Sequence, residues 1–407
     1  RSRLSCNVPN CPRPSPEPLS PCSLPSSLHL KQMMSRLLRK ATDPASLHSS
    51  VMPAPALILA PGQFNARRAK TAFGLIRGTS RYEILGVIDP DQVGLDAGVV
   101  VDGTPRGIPI FASVAEACQQ VRVHPEWAII GITQHGGRLS DPIKEILTAT
   151  VQAGVGLVNG LHEPLSELPE LCLLAEQKGV ELLDIRKSRP WHELRFWSGT
   201  IRTVRAPRIA VLGTDCALGK RTTTYWLWEL CNASGIRTEM IYTGQTGWLL
   251  GMEYGFILDA TMNDFVTGEL EAEIVRCDQE QSPDLILLEG QSALRNPAGP
   301  CGAEYLCSAE AKGVILQHAP GRTYFRGIER LKWSIPSLEN ELALIRQYGA
   351  TPLGITLNAE GLSPDEARSV QQDYERTLGL PVLLPLEEGL DRLLPTVQSF
   401  LAHPDTH

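Results

Sequence analysis

The sequence predicts an α/β protein made of two parallel-sheet domains in succession. Three observations lead to this expectation. Short, continuously apolar segments recur along the chain, each followed by turn residues and a helix-like stretch. Strands apolar at every position belong in a sheet covered on both faces. The 407 residues suffice for two ordinary cores, and 43% hydrophobic with 20% charged residues suits a globular chain. Finally, one apolar segment, 208–212, runs into a glycine-bearing loop that closes on Gly219-Lys220 at the start of a helix. That strand, loop and helix aim backbone N–H groups and an ammonium at a phosphate-bearing ligand.

Composition removes several function classes. A formal net charge of −7 argues against a general nucleic-acid surface. No apolar run reaches the roughly 18 to 20 residues that cross a bilayer, so no membrane partner is expected. The 10 cysteines show no close metal-binding pairs, since Cys301 and Cys307 stand six apart with no second pair nearby. Structural thiols in a reducing, cytoplasmic setting are expected.

Residues 1–51 are read as a disordered leader or extension. They are crowded with Pro and Ser, and seven Lys or Arg face only Glu17 and Asp43 in the first fifty. Organelle targeting is the alternative for this segment. The first domain is expected over 52–200. Its strands are 56–60, 83–89, 127–132 and 180–185, and a helical stretch containing Lys70, Thr71, Ala72 and Phe73 follows the first. Ser113 with Glu116 reads as a helix cap with its reciprocal glutamate. The half is Rossmann-like but lacks a complete Gly-x-Gly-x-x-Gly fingerprint, so NAD is not assigned. Ligands sit beyond the carboxyl ends of strands in such sheets. His135 and His162, in loops at strand ends, are therefore candidates for substrate contact.

The second domain is expected over 201–407 as a P-loop NTPase-like three-layer α/β/α unit. Its strands are 208–212, 238–243, 284–289, 313–318, 352–358 and 381–385. Tyr225, Trp226, Leu227 and Leu230 give the helix after the loop its apolar face. Ser363-Pro364-Asp365-Glu366 opens the last long helix.

The site expected in this half centres on Gly213, Thr214, Asp215, Gly219, Lys220, Arg221, Thr222 and Thr223. Thr214 stands where a standard P-loop has its first glycine, and Arg221 where it has a hydroxyl. A phosphate site follows from the pattern; hydrolysis of a nucleotide does not. Thr222 or Thr223 can supply the displaced hydroxyl, and Glu289, ending its strand, can orient a nucleophile. Glu289 and Thr222 are the metal ligands if magnesium is used. Gln245 and Thr246 lie in a glycine-rich strand-end loop. Asp264 closes an acidic stretch, and His318 ends a strand just before Arg322. His318, Asp264 and Glu289 are the candidate catalytic groups.

The segment 213–223 is similar to the loop of the dethiobiotin synthetase-like branch of P-loop proteins, from which Arg221 departs. Taken with Gly244-Gln245-Thr246-Gly247, residues 259–264, Glu289-Gly290-Gln291-Ser292 and the Rossmann-like first half, residues 55–394 more closely resemble the domain of unknown function 1611 family, described as D-glutamate N-acetyltransferase-like. That resemblance implies transfer of acetyl from acetyl-CoA to the amine of a D-amino acid, D-glutamate foremost. It needs a base, donors facing the thioester oxygen, and a cation such as Arg322 for the substrate carboxylate. No spacing chooses the base among His318, Asp264 and Glu289, and Thr246 or a loop N–H can face the oxyanion. Two alternatives stand: a Mg-ATP-dependent carboxylate ligase or kinase of the dethiobiotin synthetase type, and a nucleotide-binding regulator without turnover. The expected partner is a small carboxylate-bearing amine, with a homo-oligomer as an additional expectation.

Overall fold

The structure, a computed structural model, describes residues 53–65, 68–133 and 139–403. The expected leader and the candidate His135 lie outside the described residues. Pro53–His407 forms one compact unit containing two sheets.

The first sheet holds β1 (Ala54–Leu59), β2 (Tyr82–Ile88), β3 (Ile110–Phe111), β4 (Trp127–Ile130), β5 (Gly156–Asn159) and β6 (Leu182–Asp184). Its order is β3-β2-β1-β4-β5-β6, with every pairing parallel. This is the doubly wound Rossmann order, whose crevice opens where the connections reverse direction, between β1 and β4. The helix Lys70–Arg77 follows β1 and so stands at that crevice. Asp89, just beyond β2, is fully buried and accepts the amides of Gly62, Phe64 and Asp91, each at 3.0 Å. Its carboxylate therefore shapes the loop after β1.

The second sheet holds β7 (Arg208–Gly213), β8 (Thr238–Tyr242), β9 (Tyr254–Gly255), β10 (Leu285–Glu289), β11 (Gly313–His318), β12 (Thr351–Leu357) and β13 (Val382–Leu383). Its order is β13-β12-β11-β7-β10-β8-β9, again all parallel. Alternate residues of β7 enter different cores: Ala210 and Leu212 pack on one face, Ile209 and Val211 on the other. Both faces are covered, which is why these strands read as unbroken apolar runs. Since β7 lies between β10 and β11, the last residues of all three strands converge on one loop.

The helix Lys220–Ala233 buries Thr223, Thr224, Leu227 and Cys231 on one face. The helix Pro364–Leu378 begins with a complete capping box between Ser363 and Glu366. At Ser113 the cap differs from expectation: its hydroxyl accepts from Glu116, but the Glu116 carboxylate reaches back to the amide of Ala112. The two-residue strands β3 and β9 carry too little pattern to be predicted, and β6 is shorter than the apolar run around it.

One short helix joins the halves. Gln245–Leu250 follows β8, yet its Leu249 and Leu250 belong to the core of the first sheet. Thr79 and Ser80 donate to the carbonyls of Leu249 and Leu250, Arg81 donates to that of Trp248, and the Arg81 guanidinium lies 4.1 Å from the Trp248 ring centre. Among the described residues, no helix is long and apolar enough to cross a membrane.

Candidate functional site

Gly213 ends β7 and feeds the loop that reaches Lys220. Ala217 (φ 53°) and Gly219 (φ 110°) adopt left-handed backbone, a conformation that helps turn successive N–H groups toward one concavity. The amides of Ala217, Leu218 and Gly219 have no acceptor among the described residues, and the first amides of any helix lack intrahelical partners. Lys220 is 6% exposed; its Nζ donates to the carbonyls of Asp215 and Ser292, both at 2.8 Å. An ammonium has three donors, so one remains. Burial lowers the Lys220 pKa to about 8. A Cβ on Gly213 would stand 3.1 Å from that Nζ, so the glycine leaves room for the lysine.

The back of the loop is braced. Asp215, fully buried, accepts from the amides of Cys216 (2.7 Å) and Arg326 (3.0 Å) and from Arg322 Nη1 (3.2 Å). Arg322 also donates to the carbonyls of Cys216 and Ala217 and pairs with Glu360. The structure thus places Arg322 as a brace of the phosphate loop, where its donors are engaged, and not as the free carboxylate clamp expected from sequence. Gln317 was missed by the sequence reading. Its side chain links Leu218 to Thr223, accepting the Thr223 hydroxyl at 2.9 Å. Thr222 faces the cleft.

The three expected catalytic groups part company. Glu289, at the end of β10, lines the cleft at 4% exposure. Burial pushes its carboxyl up to about 7, against the pull of Arg221, the Thr243 amide (3.2 Å) and Lys220. His318 is buried beneath the loop, its Nδ1 2.8 Å from the Thr214 hydroxyl and its ring against Tyr374. Burial lowers its pKa to about 4, so the imidazole is neutral near pH 7, but it does not line the cleft. Asp264 stands exposed in the first turn of the helix Asn263–Gln281, also away from the cleft lining. Asp264 sits at a helix start, where an acid suits the dipole, whereas Asp259 lies in the separate turn Leu258–Ala260.

Both halves line a single cleft of about 740 Å³. From the first half come Lys70 and Arg77 of the helix after β1, and Arg186 just past β6. From the second come the loop, Arg221, Gln245, Thr246, Glu289 and Arg326. Lys70 has its pKa lowered to about 8 by burial and by the nearby charges of Arg326 and Arg322. Arg186 pairs with Asp259 at 2.6 Å and lies 2.7 Å from His162 Nε2, so His162 supports a cleft arginine. Cations outnumber acids in this cleft, and a volume of this size suits a small organic ligand.

Two family descriptions match. "Domain of unknown function (DUF1611_C) P-loop domain" covers residues 195–394, and "Domain of unknown function (DUF1611_N) Rossmann-like domain" covers 90–188. A solved structure of a DUF1611 family protein from Anabaena variabilis superposes with a TM-score of 0.76 at 30% identity, covering 85% of this chain and 99% of that one. The chain belongs to the DUF1611 family. A protein named D-glutamate N-acetyltransferase from Tritonibacter scottomollicae is 31% identical over 65% of this chain and 79% of its own length. Another of that name, from a Pseudoalteromonas species, is 27% identical over 68% of this chain and 82% of its own.

Proposed function

We propose that this member of the family transfers acetyl from acetyl-CoA to the amine of a D-amino acid, D-glutamate foremost. The observation that carries the reading is the union of two chemistries in one cleft. A phosphate-binding loop with Lys220 opens into the same space as Glu289, a carboxyl whose pKa lies near neutrality. The names of the two relatives support the reaction class.

The residues present fit the donor. Unpaired loop amides, the remaining donor of Lys220 and the ammonium of Lys70 suit the diphosphate of coenzyme A, and none of these interactions requires cleaving a phosphate. Bound there, acetyl-CoA supplies an activated acyl carbonyl and a thiol leaving group. Glu289 accepts a proton from the substrate ammonium, freeing the nitrogen lone pair to bond the acyl carbon; a base with a pKa near the working pH is suited to this. The C–S bond then breaks, and the second amine proton leaves with the sulfur as the thiol. Gln245 and Thr246 line the cleft at the start of a helix, where the first amides lack intrahelical partners and can serve an oxyanion. Arg221 places a positive charge beside Glu289, where the Mg-ATP ligase reading would place its metal ion.

The test is a product assay on the full chain with acetyl-CoA and D-glutamate, with and without Mg-ATP. The proposal expects N-acetyl-D-glutamate and free coenzyme A thiol at equal rates in both. Product formed only with Mg-ATP would move the assignment to the ligase or kinase. No turnover of any amine or carboxylate would favour the regulator.

A further inference from the structure

Lys70 and Arg77 are seven residues apart, on one face of a single helix, about 10 Å along its axis. Gly74 lies between them and packs against the second half. A Cβ added there would stand 2.9 Å from Arg221 Nη2 and 3.2 Å from Thr246 Cγ2. The glycine therefore lets the Arg221 guanidinium lie against this helix, which brings it toward Arg77.

The charges around these two arginines do not balance. Arg77 reaches Asp102 through Nε at 3.5 Å, but both oxygens of Asp102 are already held by Arg106, at 2.7 and 3.0 Å. The Arg221 side chain makes no hydrogen bond among the described residues, and Glu289 is the acid whose charge acts on it. Burial leaves the Glu289 carboxyl only partly ionised near neutral pH. Two guanidiniums directed into one partly buried space, with one shared acid and one partly protonated acid, favour an anion between them. Planar forks match carboxylate and phosphate alike, and the phosphates of the donor already have the loop amides and Lys220.

We infer that Arg77 and Arg221, packed across Gly74, form the subsite for a substrate carboxylate, set beside Glu289 at the edge of the phosphate loop. The inference rests on the acetyl-transfer reading for its substrate and adds the residues that select it. One helix face then has two tasks: Lys70 serves the donor phosphates, and Arg77 selects an acidic amino acid over its amide or apolar analogues.

Calorimetric titration of the full chain with glutarate, D-glutamate and acetyl-CoA tests this, comparing wild type with Arg77→Gln and Arg77→Lys. Arg77→Gln should weaken glutarate and D-glutamate binding about tenfold or more, and leave acetyl-CoA within about twofold. Arg77→Lys should recover part of the loss. Equal weakening of acetyl-CoA would assign the pair to the phosphate side and overturn the inference, as would unchanged affinities or failure of wild type to bind either dicarboxylate. Arg77-dependent dicarboxylate binding by a wild type without acetyl transfer would remove the reaction and keep the subsite.

Discussion

Glu289 is a carboxyl near half-ionisation at neutral pH, and the physical cause is burial beside two cations that only partly compensate it. Its pKa, about 7, exceeds the ordinary 4.5. Folding therefore favours the protonated form. That stabilisation is complete below the unfolded value and is lost as pH rises through about 7. Glu289→Gln should remove the loss, so at pH 8 the variant should melt no lower than wild type, while kcat falls roughly a hundredfold or more. The wild-type rate should rise with pH through about 7, and the variant should lack that limb. A calorimetric scan paired with a pH–rate profile checks both. A variant that keeps its rate and its alkaline limb would show that another group takes the proton.

At the scale of the element, the Asp215–Arg322 pair holds the back of the phosphate loop. Asp215 is fully buried and Arg322 nearly so. Arg322→Ala leaves a buried carboxylate with less compensation, which should cost roughly 3–5 kcal/mol of stability. It should also raise KM for acetyl-CoA more than it lowers kcat, because the loop carbonyls lose their brace. Thermal denaturation and steady-state kinetics measure the two effects. An unchanged KM in a destabilised variant would mean that the loop keeps its shape without the guanidinium. Much of this element was legible in the sequence, because strand, turn and helix start are contiguous and the glycine and lysine positions have local causes. Glu289 was legible for the same reason, as an acid closing an apolar run. What was not legible came from distance: Lys70 read as one residue of an ordinary helix, and Arg77 carried no signal. Each acquires its chemistry only when β1 and β7 bring their following helices together. The same limit misled the reading of Asp264 and His318, since adjacency in sequence reveals neither exposure nor the side of the loop on which a ring lies.

The whole molecule is a pair of sheets sharing one cleft and stitched by the helix Gln245–Leu250. Leu250 is 2% exposed within the first sheet's core, although it follows a strand of the second. Leu250→Ala should therefore cost roughly 2–5 kcal/mol. It should lower a single shared unfolding transition of Pro53–His407, rather than split it, and reduce activity because Gln245 and Thr246 head the same helix. Two well-separated transitions in wild type would contradict this coupling.

On the proposed function, the phosphate loop holds a coenzyme A ester for transfer and not a nucleotide for cleavage. Calorimetric titration of the full chain and its Lys220→Ala variant, with acetyl-CoA and separately with Mg-ATP, tests it most directly. Acetyl-CoA binding should weaken at least tenfold in the variant, with no matching Mg-ATP affinity. Lys220-dependent binding of Mg-ATP alone would contradict it.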